Sequence, residues 1–196
     1  MNFTDLSKGV REHLGQRHRY EHCVRVARLA ENLARAHGED ARAARSAGML
    51  HDLARLYPAR RLLDECALRN MPVDAFERRN PILLHARLSA ELARERFGVT
   101  DPAVLSAIAK HTVGAGSMSA LDCILYLADG LEPGRNFPQR AELACLAERD
   151  LAAAMRATLF STMRHLKERG IPASPETTAA AAAFALPAGD LEVRTA

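Results

Sequence analysis

Aromatic residues are scarce in this sequence: Phe, Trp and Tyr together account for 5% of it, and tryptophan is absent. The formal net charge is only +3. A protein dedicated to nucleic acids usually concentrates basic residues on one face or stacks bases on aromatic rings. We therefore expect no nucleic-acid partner, although the modest excess of arginine suits a small phosphorylated ligand.

Closely spaced cysteines and long apolar runs are also missing. The four cysteines contain no short-spacing pair, which argues against a disulfide framework and a structural zinc site. No run approaches the roughly 18 apolar residues that a membrane span requires, and the first residues lack the charged-then-apolar order of a secretory signal. We predict a cytoplasmic protein with buried, reduced thiols and no membrane contact.

β-Branched residues are few, whereas Ala, Leu, Arg and Glu are abundant, and no stretch alternates with period two. This composition favours helices throughout. The sequence shows no internal repeat and no linker long enough to divide it. We predict an all-α fold of roughly seven to nine helices in one domain over residues 1–186, followed by a disordered tail over residues 187–196.

Capping signals predict several helix ends. Apolar residues recur at helical spacing before Gly38, a natural C-terminal stop. Asn80 and Asp101 are each followed by proline, the usual combination of an N-cap with the first helical residue. One long helix is expected over residues 148–169, and a last helix over residues 176–186.

Six potential metal ligands lie on or at the ends of predicted helices, mostly among apolar neighbours: His22, His51, Asp52, His85, His111 and Asp129. An ionised carboxylate in an apolar helix is costly unless it is paired or coordinates a metal. Imidazole and carboxylate together suit first-row metals such as iron, manganese, zinc or nickel. A helical domain must collect such ligands from several helices. Taken singly, each residue is more often a hydrogen-bonded core residue or a helix cap, so both interpretations stay open at this point.

The order and context of these six residues together resemble the HD-domain superfamily of metal-dependent phosphohydrolases. Within it, the pattern is most similar to the YqeK-type symmetrical diadenosine tetraphosphate hydrolases. The resemblance covers roughly residues 19–178 and implies a single HD-type helical bundle with its core at about residues 18–135. It rests on the segments 47–54, 83–85, 107–112, 118–122 and 128–135.

The resemblance implies a site for two metal ions, commonly iron. The implied ligands of the first metal are His22, His51, Asp52 and Asp129, and those of the second are His85 and His111, with Asp52 bridging. Arg19 and Arg135 would hold phosphates and, with Asp52, form the implied catalytic set. The implied substrate contacts are Arg19, Asp52, Leu53, Ala54, Arg55, Asp129, Arg135, Pro172, Ala173, Ser174, Pro175, Glu176 and Thr177.

Residues beside this pattern receive a structural interpretation. His13, His37 and His165 are expected on the solvated surface. Cys23 lies about 100° around the helix from His22, so we expect it to pack in the core and face away from the ligands. The C-terminal segment departs from the family pattern, because an aromatic-Asn pair usually follows the Pro-Thr loop and this chain has alanines there.

The implied activity is metal-dependent hydrolysis of the central phosphoanhydride of a dinucleoside tetraphosphate, which would convert diadenosine tetraphosphate into two ADP. One alternative is an HD-domain phosphohydrolase that acts on another nucleotide or a nucleotide-derived signal. A catalytically silent nucleotide- or metal-binding module is a second alternative. We expect a small-molecule nucleotide as the partner, and a homodimer is an assembly that the sequence leaves open.

Overall fold

The computed structural model describes residues 2–184, and the regular secondary structure in that range is entirely helical. The predicted all-α fold class is therefore confirmed. The predicted tail and the end of the last predicted helix lie outside the described residues. The helices are α1 (Phe3–Leu14), α2 (Arg17–Ala36), α3 (Ala41–Leu50), α4 (Ala59–Leu68), α5 (Ala75–Arg79), a 3₁₀ helix (Pro81–Leu83), α6 (Leu84–Phe97), α7 (Pro102–Lys110), α8 (Ala120–Leu131), α9 (Arg140–Arg149), α10 (Leu151–Glu168) and α11 (Pro175–Ala183).

The described range contains eleven α-helices, so the predicted count of seven to nine was too low. The two helices that the sequence analysis missed are α1 and α9. The buried stripe of α1 consists of Leu6, Val10 and Leu14 alone, and α9 buries only Ala147. Helix α9 lacks the wide apolar face on which recognition of helical periodicity depends. In α1, by contrast, Phe3, Leu6, Val10 and Leu14 recur at helical spacing, so the sequence carried a signal for this helix.

Side-chain caps begin three of the five helices that carry the candidate ligands, α3, α7 and α8, but not α2 or α6. Asp101 accepts a hydrogen bond from the backbone N–H of Ala103, as predicted for the start of α7. The side chain of Asn80 does not cap its helix; its amide donates to the carbonyl of Phe76 instead. A 3₁₀ helix follows Asn80, and His85 therefore lies in the first turn of α6 rather than in a helix interior.

The close crossing of α2 and α3 depends on Gly48. A Cβ atom at this position would lie 2.7 Å from the Cα and 2.9 Å from the backbone nitrogen of Ala27, which is closer than a side chain permits. Glycine therefore allows the two backbones to touch. The crossing brings the residues that follow α3, His51 and Asp52, next to His22 on α2.

Helix α8 runs through the core, and every side chain from Leu121 to Ala128 is buried. Helices α2, α3, α7 and α10 pack against it. The buried run ends at Asp129, whose side chain is 20% exposed, so α8 presents a carboxylate at the edge of the core. Among the described residues, no helix combines the length and the apolar character that a membrane crossing requires.

Candidate metal centre

Five helices bring the six predicted ligands together. Each ligand lies within or beside a different helix, except for one adjacent pair: His22 in α2, His51 and Asp52 after α3, His85 in α6, His111 after α7 and Asp129 in α8. Five of the six are no more than 5% exposed, and only Asp129 reaches the surface. The structure therefore assembles the whole predicted set in a mostly buried position.

His22, His51 and Asp129 form a first group. Nε2 of His22 lies 3.1 Å from Oδ1 of Asp129 and 3.3 Å from Nε2 of His51. Nε2 of His51 lies 3.8 Å from the same carboxylate oxygen. Two atoms that each bind one metal at about 2.1 Å, at right angles to one another, are about 3 Å apart. These spacings therefore suit ligands of a single ion.

His85 and His111 form the centre of a second group, with their Nε2 atoms 3.2 Å apart. The hydroxyl of Thr112, which sequence analysis did not single out, lies 3.2 Å from Nε2 of His85 and 3.0 Å from Nε2 of His111. This group has the same convergence of imidazole nitrogens as the first one, but it has a hydroxyl where the first group has the carboxylate of Asp129.

Asp52 faces the two groups with different oxygens. Its Oδ2 lies 3.6 Å from Nε2 of His22 and 3.4 Å from Nε2 of His51. Its Oδ1 lies 3.3 Å from Nε2 of His85 and 3.9 Å from Nε2 of His111. The carboxylate therefore lies between the two pairs of histidines, with one oxygen available to each.

Hydrogen bonds at Nδ1 indicate which nitrogen of each histidine carries the proton. In three of the four, Nδ1 faces the backbone carbonyl three residues earlier, at 2.5–2.8 Å. In His22, Nδ1 lies 3.1 Å from Oε1 of Glu132. A nitrogen that faces an acceptor holds the proton, so each Nε2 carries a lone pair. The lone pairs then point at one another and at carboxylates, an arrangement that a cation between them would stabilise. The donor set therefore fits metal ions.

The charges in the centre shift several pKa values. Burial alone would raise the pKa of the Asp52 carboxyl, but the adjacent His51 holds it well below its usual range. For Asp129, the neighbouring His22, His51, His111 and Arg135 likewise outweigh burial and lower the pKa. Burial and the neighbouring imidazoles lower the pKa of His111 to about 3. Ionised carboxylates and neutral imidazole are the states in which these groups coordinate metals.

A cavity of about 230 Å³ opens over the ligands and is lined by Arg19, Arg55 and Arg135. Arg19 donates from Nη1 to Oδ2 of Asp52 at 2.7 Å, while its buried Nε meets no acceptor among the described residues. Arg135 donates from Nη2 to Oδ1 of Asp129 at 2.6 Å. Guanidinium groups with unused donors are well suited to phosphate oxygens.

A second cavity of about 460 Å³ adjoins the first, since Leu83 lines both. Val113 and Glu176 also line the larger cavity. The hydroxyl of Thr177 donates to the carbonyl of Val113 at 3.0 Å. The segment 172–177, predicted to contact a nucleotide, is therefore attached to the loop that follows α7.

Two of the predicted substrate-contacting residues, Leu53 and Ala54, have buried side chains. The carbonyl of Leu53 accepts a hydrogen bond from Nε2 of His13 at 2.9 Å. The N–H of Ala54 donates to the hydroxyl of Ser89 at 3.0 Å. Contact of these two residues with a substrate stays a prediction, as it does for the loop residues that line neither cavity: Pro172, Ala173, Ser174, Pro175 and Thr177.

The expectation of solvated histidines was wrong for His13 and His37. Both are partly buried and bond backbone carbonyls, His13 that of Leu53 and His37 that of Ala147 at 2.6 Å. His165 is exposed, as expected. Sequence periodicity did not reveal these bonds because they join segments that are far apart along the chain.

Cys23 is buried, as expected, but it does not face away from the ligands. Its Sγ lies within 4.8 Å of ligand atoms of His51 and Asp52, because α3 packs so closely on α2 that it contacts two adjacent faces. Burial raises the pKa of this thiol well above its usual value. The prediction of buried thiols was wrong for Cys145, which is exposed.

Glu132 and Arg25 are polar residues of this centre that the sequence analysis missed. Glu132 is 2% exposed and bonds Arg25 as well as His22. Burial alone would raise the pKa of Glu132, but hydrogen bonds from Arg25, the amide of Gly134 and His22 lower it to about 2. The sequence feature that could have pointed to Glu132 is its position directly before Pro133-Gly134 and three residues after the candidate ligand Asp129.

The protein has an all-helical fold around a mostly buried histidine-carboxylate centre that could hold metal ions. A family model described as HD domain matches residues 19–134, and the chain belongs to this family. HD-domain phosphohydrolases depend on metal ions, and the histidines and aspartates described above are consistent with that dependence.

Proteins similar to this chain carry a specific name. The symmetrical bis(5′-nucleosyl)-tetraphosphatase of Bacillus subtilis is 36% identical over 90% of this chain and 94% of its own length. The protein of the same name from Halalkalibacterium halodurans is 34% identical over 91% and 95%. A crystal structure from Clostridium acetobutylicum, described as a predicted HD superfamily hydrolase involved in NAD metabolism, matches with a TM-score of 0.89 and 32% identity; the match covers 94% of this chain and 97% of the other.

Proposed function

We propose that this protein hydrolyses diadenosine tetraphosphate at its central phosphoanhydride and releases two ADP, as a symmetrical bis(5′-nucleosyl)-tetraphosphatase. Relatives with that name match nearly the whole chain. The observation that carries the proposal is the position of Asp52 between two pairs of histidines, below a cavity lined by arginines. This arrangement suits a polyphosphate whose central bond lies over a metal pair.

The two groups of candidate ligands would each hold one metal ion. His22, His51 and Asp129 would bind the first metal, and His85 and His111 the second, with Asp52 shared between them. A metal pair of this kind lowers the pKa of a bound water and neutralises phosphoryl oxygens. Iron is the metal that we propose, because the family resemblance implies it and a site of imidazoles and carboxylates can bind it.

The protein side chains would then position the substrate and the attacking water. Arg19 and Arg135 lie over Asp52 and Asp129 and would bind the phosphates on either side of the reacting bond, where they neutralise charge that develops in the transition state. Asp52 would accept a hydrogen bond from the attacking water and orient it. The water oxygen bonds to one central phosphorus, and the oxygen that bridges the two central phosphorus atoms leaves with the other ADP.

The larger cavity is our proposed location for one nucleoside. It adjoins the smaller cavity through Leu83, and its wall is mainly apolar but includes the charged residues Asp74, Glu77, Arg87, Lys110 and Glu176. The hydrogen bond from Thr177 to Val113 would keep the 172–177 loop against this cavity. A mostly apolar pocket with polar groups at its wall is typical of small-ligand sites and suits a nucleobase.

The test is to identify the products. We would remove metal from the purified protein with a chelator, reload it with iron or manganese, and supply diadenosine tetraphosphate in water enriched in oxygen-18. We expect ADP alone, with one labelled oxygen per pair of ADP molecules, and no turnover by the metal-free protein. AMP plus ATP would contradict central cleavage. No turnover by metal-loaded protein, with hydrolysis of another nucleotide in a parallel panel, would favour the other HD-domain activity.

A further inference from the structure

Glu132 is a buried carboxylate at the end of α8, close to the metal centre but outside the ligand set. Oε1 lies 3.1 Å from Nδ1 of His22. Oε2 accepts hydrogen bonds of 2.5 Å from Nε of Arg25 and from the backbone N–H of Gly134. Both oxygens are therefore in use, although the residue is only 2% exposed.

His22 differs from the other three histidines of the centre in its partner. In His51 and His111, Nδ1 bonds a carbonyl in the last turn of the preceding helix, and in His85 it bonds a carbonyl of the 3₁₀ helix. At such positions the regular pattern of main-chain bonds is incomplete, so a carbonyl is available. His22 lies inside α2, where the carbonyls of the helix are already bonded to N–H groups. It therefore needs an acceptor from elsewhere.

We propose that Glu132 is a positioning residue of the metal centre. It accepts the Nδ1 proton of His22, which leaves the lone pair of Nε2 directed at Asp129 and Asp52. A carboxylate behind a ligating imidazole fixes the ring and raises the basicity of the ligating nitrogen. This inference rests on the proposed metal site, and it assigns Glu132 a role through His22 rather than through contact with the substrate.

Arg25 and Gly134 hold Glu132 in that position. Arg25 is one helical turn after His22 on the same face of α2, so one helix supplies both the ligand and the cation that fixes its partner. A Cβ at Gly134 would lie 2.6 Å from Nη2 of Arg25, so a larger residue there would shift the guanidinium from its position on Glu132. The ion pair of Arg25 with Glu132 joins α2 to the turn that follows α8. Helix α2 carries His22, and α8 carries Asp129. His22 and Asp129, two of the three ligands of the first group, are thus held close together by residues outside the ligand set.

The test compares Glu132→Ala and Glu132→Gln with wild type. Manganese affinity is measured by competition with a chelator, and folding by circular dichroism and urea unfolding. The alanine variant removes the acceptor, so we expect a loss of about 10- to 100-fold in manganese affinity. The glutamine variant keeps an oxygen acceptor and should recover part of that loss. Glu65→Ala and Glu65→Gln are matched controls, because Glu65 also pairs with an arginine, Arg69, but lies on α4 away from the site.

A folded alanine variant with wild-type manganese affinity would overturn the role of Glu132 and leave the proposed metal site intact. A wild-type protein that binds no manganese or iron would overturn both. The ¹⁵N spectrum of His22 in the zinc-loaded wild type supports or overturns the inference even where a variant does not fold. We expect a protonated Nδ1 and a ligating Nε2, and the reverse assignment would contradict the proposal.

Discussion

Replacing Gly48 by alanine tests whether the close crossing of α2 and α3 determines the spacing of the ligands. The new methyl group would lie 2.7 Å and 2.9 Å from backbone atoms of Ala27 and 3.1 Å from the carbonyl carbon of Val26. Carbon atoms in favourable contact are about 3.5–4.0 Å apart. These neighbours are backbone atoms and cannot rotate away, so the helices must separate by about 1 Å to restore that contact distance.

The effect on stability combines two opposing contributions. Overpacking of a core contact costs about 1–3 kcal/mol, while alanine is favoured over glycine inside a helix by about 1 kcal/mol. We expect the variant to lose about 0–2 kcal/mol in free energy of unfolding. The larger effect should fall on the metal centre, because His51 follows Gly48 by about one helical turn. Nε2 of His51 lies 3.3 Å from Nε2 of His22, and separation of the helices would change this distance. A misplacement of about 1 Å can cost on the order of 100-fold in activity.

Urea unfolding, manganese titration and hydrolysis of diadenosine tetraphosphate would measure these effects. Gly130→Ala is the matched control: it lies in α8 beside a ligand, and a Cβ there meets no atom within 4 Å. We expect this control to bind metal normally and to gain about 1 kcal/mol in stability. If Gly48→Ala matched Gly130→Ala in stability, metal affinity and activity, the crossing would not be what sets the ligand spacing.

Two further predictions concern the ligands and a histidine behind the site. His51→Ala and Asp129→Ala should lose metal and activity but keep their helical circular dichroism; unfolding of both variants would instead indicate a structural metal. Burial, together with the charges of Arg96 and Arg61, lowers the pKa of His13 below 6.5. His13 therefore binds a proton more readily in the unfolded chain than in the folded one. The free energy of unfolding should fall as the pH drops below 6.5. His13→Gln should lose less stability between about pH 7.5 and about pH 5.5 than wild type in urea unfolding, and an equal loss would contradict this assignment.

The six candidate ligands could be predicted because each carries its chemistry in its own side chain. Imidazoles and carboxylates stand out in apolar helices, and His51-Asp52 at a helix end is recognisable from local sequence. Helix starts such as Asp101 followed by proline depend on hydrogen bonds within a few residues. Properties of this kind are local and can be read along the chain.

The sequence by itself determined that the protein is helical, and it presented histidines and aspartates in a particular order as a candidate metal-binding set. Only the tertiary structure decided that Asp52 faces both histidine pairs, that Cys23 lies beside the candidate ligands, and that Glu132 contacts His22 across 110 positions of chain. Helical periodicity indicates which residues share a face, but it does not say which faces meet or how closely. That distance depends on contacts such as Gly48 against Ala27, where the absence of a side chain brings two helices together.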